Sequence, residues 1–278
     1  MKINKKIFGF LLWALMGSAL LILGSCSSST GPDFTLPVTV SAKIETSSQS
    51  NVDYATLEIS LEDDNILFED TVELLNGRVE TVVEIPPGQN INFELNAYTS
   101  ADVLIYSGSI VSDVGLGEDI EVTIQMIPQV LMLKVDPLYL EFNSLATGEQ
   151  FIDIYVYNAA DLFGASFRIN YVNNVITPTR VEFNSANITN FLGSEVLAFS
   201  RIEDGYVAMS VVKLRGQNAV SGSGHLARVY FNLISEGNTS LEFDTETASL
   251  VDENENPIAN SSALVLEDGE LTVAIPIP

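Results

Sequence analysis

One cysteine and one histidine in 278 residues leave little material for metal or nucleophilic chemistry. Cys26 has no partner for an intramolecular disulfide or a zinc cluster, so stability must come from buried apolar cores, and the chain is long enough for two. Basic residues are scarce too, 12 against 37 acidic ones, a formal charge of −25. A field of that sign repels nucleic acid and anionic headgroups and favours cationic partners or divalent metal. From Val38 onward no long stretch carries a helical period. That excludes a helical bundle and a doubly wound α/β sheet.

What is present begins with a leader. Lys2, Lys5 and Lys6 precede an apolar run from Ile7 to Leu23, and Leu23-Gly24-Ser25-Cys26 follows. This pattern predicts a signal peptide over residues 1–25. An uncleaved transmembrane helix is the other reading, but the run is at the short end for a span. Cys26 directly after Gly24-Ser25 resembles a bacterial lipobox, which implies a lipidated cysteine at the mature N-terminus. Acyl chains there would hold the protein at about 0.8 kcal/mol per buried methylene. Residues 26–32 then form a short tether of Ser, Thr, Gly and Pro. Ser27 after the cysteine resembles lipoproteins sorted to the outer membrane, so the folded part is expected outside the cytoplasm, lipid-anchored to the envelope. Three basic residues leave with the leader, which makes the processed chain more acidic still.

The rest alternates apolar with polar residues in short runs. Ala55 to Leu61, Val79 to Ile85 and Ile120 to Met126 are clear cases, separated by Asn76-Gly77, Pro86-Pro87-Gly88 and Gly115-Leu116-Gly117. Many short strands at regular spacing predict a β-sandwich, here over residues 33–128 and of immunoglobulin-like length. Pro128 and Pro137 bracket a transition, and the run Val130 to Val135 opens a second module over residues 129–278. Strands are predicted there at Phe151–Tyr157, Ala165–Tyr171, Val196–Arg201, Tyr206–Leu214, His225–Leu233, Ser240–Phe243 and Glu270–Ile275. A short helical turn is expected around Ser185 to Phe191. The fold class is all-β, two sandwiches in series.

Five segments of the second module together resemble the cohesin family. They are Gly148-Glu149-Gln150-Phe151 running on to Asp161-Leu162-Phe163-Gly164, then Ala165 to Tyr171, then Asp204-Gly205-Tyr206-Val207-Ala208-Met209-Ser210. Gly222 to Phe231 with Glu236 to Ser240, and Asp268-Gly269-Glu270-Leu271-Thr272-Val273, complete the set. The resemblance implies a nine-stranded jelly roll, similar also to carbohydrate-binding modules, that recognises a dockerin domain through one exposed sheet face. Carried over by position, that face falls on Ser166, Arg168 and Asn170, with Ser200 and Ser210. Where the family commonly has an Asn/Asp pair near the start of the third strand, this chain has Gly164 and Ser166.

Three further candidates come from the residues themselves. Tyr155 and Tyr157 share one face of their strand and form a possible aromatic platform for sugar rings or a protein anchor; packing against the first module or a covering loop is the alternative. Asp252, Asn254 and Asn256 place oxygens at alternate positions, as a calcium loop would. However, Pro257 stands where an EF-hand needs Gly and Ala263 where it needs Glu. His225 follows the Gly222-Ser223-Gly224 turn and lacks an oriented nucleophile, so a structural role is expected. No carboxylate pair is singled out for glycoside chemistry, and no cofactor is expected beyond possible calcium. These residues predict a non-catalytic cell-surface binding protein, not an enzyme, for a dockerin-bearing partner or a polysaccharide, associated with polysaccharide breakdown. The alternative is a structural component of an envelope assembly that binds neither.

Overall fold

The computed structural model describes residues 35–43, 52–63, 65–75, 78–115, 120–145, 148–258 and 264–274. The leader, Cys26 and the tether lie outside them. Alternating residues cannot bury one face unless a second sheet covers it, and two such pairs of sheets form here. In the first module β1 (Leu36–Lys43), β4 (Arg78–Ile85) and β7 (Ile120–Gln125) form a sheet in the order β4-β1-β7. Against it lie β2 (Tyr54–Ser60), β3 (Ile66–Val72), β5 (Gly88–Tyr98), β6 (Leu104–Val114) and β8 (Ile127–Pro128), ordered β3-β2-β5-β6-β8. The first strand runs parallel to β7 and antiparallel to β4. Val38, Val40, Leu57, Ile59, Phe93 and Leu95 fill the space between the sheets.

The second module consists of β9 (Met132–Asp136), β10 (Tyr139–Phe142), β11 (Gln150–Leu162), β12 (Gly164–Asn170), β13 (Ile176–Glu182) and β14 (Val196–Glu203), followed by β15 (Tyr206–Lys213), β16 (Val220–Leu233), β17 (Gly237–Phe243), β18 (Ser249–Val251), β19 (Val265–Glu267) and β20 (Gly269–Val273). One sheet has the order β13-β16-β11-β9-β19. The other runs β10-β20-β17-β12-β15-β14, with β18 also on β12. Phe167, Ile169, Met209, Ile154, Val156 and Phe231 interdigitate between them. The fold is the expected jelly roll with its ends subdivided. The opening segment changes sheet between β9 and β10, and the closing segment changes sheet at Asp268. As a result β19 pairs parallel with β9 in one sheet while β20 pairs parallel with β10 in the other. Asp268 is held at the crossing by the Phe243 amide, which donates to its Oδ1 at 2.7 Å. Burial pushes its carboxyl above the ordinary value, and the neighbouring Glu242 adds to the rise although the amide opposes it.

Two local expectations are revised. No helical turn forms at Ser185 to Phe191. Instead Ser185 and Ile188 make an isolated antiparallel bridge, and the buried Asn190 donates to the Leu226 carbonyl at 2.5 Å. The strand expected to start at His225 begins at Val220, because Ser221 to Gly224 pairs with β11 through a series of bulges. There the Ser223 hydroxyl accepts from Asn158 N at 3.0 Å and the Ser221 hydroxyl from Asp161 N at 2.9 Å. The two residues whose amides they satisfy sit at positive φ, 51° and 55°. Gly224 is required: a β-carbon there would lie 2.6 Å from the ring of Phe191. A further bulge leaves Leu226 unpaired between Ala227 and His225, which puts Leu226 and Ala227 both in the core and explains the imperfect alternation.

The modules meet through β9. Leu133 and Val135 enter the second core while Met132 enters the first. Across the ladder Met132 lies beside Tyr157 and Val265, and both pack on the first core too. The Tyr106 hydroxyl donates to Met132 Sδ at 3.5 Å. Asn158 Nδ2 donates to the carbonyl of Pro128 at 2.7 Å and clamps the connection. Met132→Ala is therefore expected to cost about 2–5 kcal/mol through the cavity it opens. The loss should appear in calorimetry as earlier unfolding of the first module. An unchanged transition would show that the modules do not share this contact.

Candidate functional site

Parity decides which side chains each sheet offers to solvent. On the seven-stranded sheet the ladder pairs line up into rows that cross three or four strands. Val251, Gly164, Val212 and Leu197 form the first row, and Ser249, Ser166, Ser210 and Phe199 the second. Arg168, Ala208 and Arg201 form the third; Glu242, Asn170, Tyr206 and Glu203 form the fourth. Their sequence neighbours Ala165, Phe167, Ile169, Val207, Met209 and Val211 face the core.

The structure thus brings together four of the five residues carried over from the resemblance: Ser166, Arg168, Asn170 and Ser210. Ser200 is not on this face. It pairs with Met209 and takes the core-side parity of the edge strand β14, so the position opposite Ser210 belongs to Phe199. Phe199 is 63% exposed and Leu197 48%, side by side on one flat surface. Neither was a sequence candidate. The signal lay in the two-residue turn at Asp204-Gly205, where Gly205 has a φ of 88°. Reflecting Ser210 through that turn lands on Phe199.

The charges on the face are neutralised locally. The Arg168 guanidinium donates to Asp244 at 3.1 Å and lies over the Tyr206 ring at 4.5 Å. Its buried Nε has no partner among the described residues. Arg201 pairs with Glu203 at 2.6 Å, an exposed contact worth little to stability.

The outer face of the five-stranded sheet is built differently. Phe151, Tyr230 and Arg180 are ladder neighbours, as are Asp153, Arg228 and Glu182. Arg180 lies over the Tyr230 ring at 3.4 Å and Arg228 over Phe151 at 3.8 Å. Arg228 grips Asp153 with two bonds of 2.7 Å, and His225 Nε2 lies 3.0 Å from the same carboxylate. Burial alone would raise the Asp153 carboxyl, but the hydrogen bonds from Arg228 and His225 outweigh it and hold the group below its ordinary value. His225 meets Tyr155 edge-on at 5.4 Å. Tyr155 is half-buried beside it, and burial raises its hydroxyl. Tyr157 is taken up by the first module. The Tyr155–Tyr157 pair is therefore not an open platform, because its rings are occupied by His225, by each other and by the first core.

The Asp252 loop also satisfies itself. Asp252 Oδ1 accepts from Asn254 N at 2.8 Å and Asn256 N at 2.9 Å, and these bonds, led by the one from Asn256, lower its carboxyl. Its oxygens cap a turn, with Asn256 Nδ2 donating to Oδ2 at 3.4 Å. Among the described residues no group of three or more His, Cys, Asp or Glu is placed to hold a metal ion.

No protein-family model matches the chain, and no curated protein matches it. Among solved structures it is similar to a non-cellulosomal cohesin from the archaeon Archaeoglobus fulgidus, at 13% identity and a TM-score of 0.39, covering 52% of this chain and 90% of that one. It is likewise similar to a cohesin from Clostridium acetobutylicum, at 16% identity and a TM-score of 0.41, covering 52% and 91%. A third is from Clostridium thermocellum, a type I cohesin–dockerin complex, at 14% identity and a TM-score of 0.41, covering 53% and 95%.

Asp153 generates a pH prediction. Its folded-state value lies below the ordinary 3.8, so its contribution is full above that value and is lost as pH falls through the lower folded value. Asp153→Asn leaves Arg228 without its buried counter-charge, which is expected to cost about 3–5 kcal/mol at neutral pH. Denaturant titrations should show that gap closing as the solution is taken to about pH 2. A gap independent of pH would mean that the carboxylate charge does not hold the cluster.

Proposed function

We propose that this protein is a non-catalytic receptor that docks a dockerin-bearing partner on the outer face of the seven-stranded sheet. The observation that carries this reading is the exposed pair Phe199 and Leu197, set in register beside Ser210, Ser166 and Arg168. A large aromatic held in water by a flat sheet is the usual centre of a protein interface, and a polar rim around it supplies orientation. The resemblance of the five segments supports this reading, since it implies that partner contact falls on these same strands. The opposite face differs in that guanidinium groups stack on its Phe151 and Tyr230 rings, whereas Phe199, more exposed at 63% than Phe151 at 43%, has no cation over it among the described residues.

The leader and Cys26 complete the proposal. A lipid on the cysteine would fix the chain at the envelope, with outer-membrane sorting the expected destination. The first module would then serve as an immunoglobulin-like spacer that lifts the docking face outward. Its firm seat on β9 suits that role, because a rigid spacer keeps the face at a set height and angle. Enzymes that act on polysaccharides are the expected bearers of the partner domain.

The test is a titration of the soluble chain, beginning after Cys26, against a panel of calcium-loaded dockerins and a glycan array. At least one dockerin should bind, and Phe199→Ala should weaken it by about tenfold to a hundredfold, as removal of an interface anchor does. Tyr155→Ala should leave the affinity unchanged. Binding that ignores Phe199 and is lost with Tyr155, or a response to glycans alone, would overturn the proposal.

A further inference from the structure

The rows on the docking face do not end on open surface. Beyond Val251, Gly164 and Val212 the sheet runs into a cleft of about 560 Å³, floored by Phe163, Val212 and Val251 and walled by the loops 214–218 and 252–255. Gly164 keeps the floor continuous. A β-carbon there would lie 3.1 Å from Val251 Cγ2 and 3.2 Å from Val212 Cγ2, so the two valines close over a position without a side chain.

The polar groups at the rim divide into those already engaged and those still free. The Lys213 ammonium donates to the Leu192 carbonyl at 2.6 Å, and Gln217 donates to Glu195 at 2.5 Å. Asp252 is committed to its own turn. Glu253 and Glu255 remain on one wall, both exposed and, among the described residues, with no partner for either carboxylate. Arg215 stands exposed at the other. An apolar floor beneath two unpaired carboxylates fits a long aliphatic stem that ends in a cation.

Resting on the dockerin-docking reading above, we propose that the cleft receives one lysine or arginine of the docked partner. Its stem lies on Phe163, Val212 and Val251, and its head lies between Glu253 and Glu255. Arg215 on the facing wall directs the cation to the carboxylate side. The whole chain carries a formal charge of −25, so a partner that arrives with a positive side chain is also drawn from a distance.

The experiment uses the dockerin that the panel identifies and the double variant Glu253→Gln/Glu255→Gln, whose changes lie on exposed loops. The variant should keep the wild-type melting temperature, bind about tenfold to a hundredfold more weakly at low salt, and show a shallower salt dependence of binding, the remainder coming from the field of the whole chain. Each lysine and arginine of the dockerin is then replaced by methionine in turn. One replacement should cost the wild-type protein the same factor and cost the double variant nothing, the signature of a direct pair. Affinity that responds to Phe199→Ala but not to the double variant, with salt dependence intact, overturns the cleft assignment and leaves the docking face standing. If no dockerin binds, both readings fall. A soluble sugar whose binding is lost in the double variant overturns the assignment in favour of a glycan site.

Discussion

The alternation of side chains along β9 is the constraint on which the rest of this structure depends. A strand presents successive residues to opposite sides, and here both sides are hydrophobic cores. Leu133 and Val135 belong to one and Met132 to the other. A strand used in this way cannot act as a linker, and the modules it joins cannot move independently without exposing Met132, Tyr157 and Val265. The same geometry buries charge. Lys134, on the Met132 side, pairs across the ladder with Tyr155 and Glu267, and both Lys134 and Glu267 are among the few buried ionisable groups. Placing charged groups in that position is costly unless they are compensated, which favours one fixed seat of the first module over many alternatives.

From this seat follows the difference between the two outer faces of the second module. The half of the five-stranded face nearest β9 is covered by the first module. The remaining half is closed by stacked arginines and rings whose charges are balanced by Glu149, Glu182 and Asp153. In such a ladder the guanidinium groups are already paired and stacked, although Phe151 stays 43% exposed. Among the described residues nothing covers Leu197 and Phe199 on the seven-stranded face, and both are exposed. The closing segment reinforces the arrangement: β19 and β20 each pair parallel to part of the opening segment, one in each sheet. Sheet edges that would otherwise invite stray pairing are thereby used.

Much of this was legible in the residues because period-two patterning is a strong signal. Val207, Met209 and Val211, and Phe167 and Ile169, are core by parity alone, and Ser166, Arg168 and Asn170 are outward by the same rule. The reading failed where parity was ambiguous. In β14 both registers carry apolar residues, Val196, Ala198 and Ile202 on one side and Leu197 and Phe199 on the other. Carrying the face over by position from the resemblance puts Ser200 on it, whereas the hairpin register sets Phe199 there. A one-residue slip moves every side chain to the other surface. Long-range events left no local trace. For Tyr157 the residues left an open platform and packing against the first module as alternatives, and only the tertiary structure decides for the second; nothing near Asp252 announces that its carboxylate will cap its own turn. The bulges of β16 were half visible. The glycines marked them, but which amides the Ser221 and Ser223 hydroxyls would satisfy depended on the partner strand.

A flat face with few free charges raises the question of how an acidic protein would achieve selective docking there. Arg168 and Arg201 are neutralised by Asp244 and Glu203, so over that surface the local field is weak while the field of the whole chain is strong. These two scales do different work. The net charge acts over about a Debye length and sets how often a cationic partner arrives, and salt removes that advantage. Residence then depends on contacts that salt does not screen, chiefly burial of Phe199 and Leu197, each worth about 1.5–3 kcal/mol when fully covered. Selectivity requires both, because an apolar patch alone accepts any apolar partner and a diffuse negative field accepts any cation. The in-register rows bring the two together, with an apolar and serine band flanked by paired arginines at one end and by a carboxylate-rimmed cleft at the other. A partner that satisfies only one band leaves the other either desolvated or unpaired, and that penalty, more than any single attraction, is what would separate the right surface from a merely sticky one.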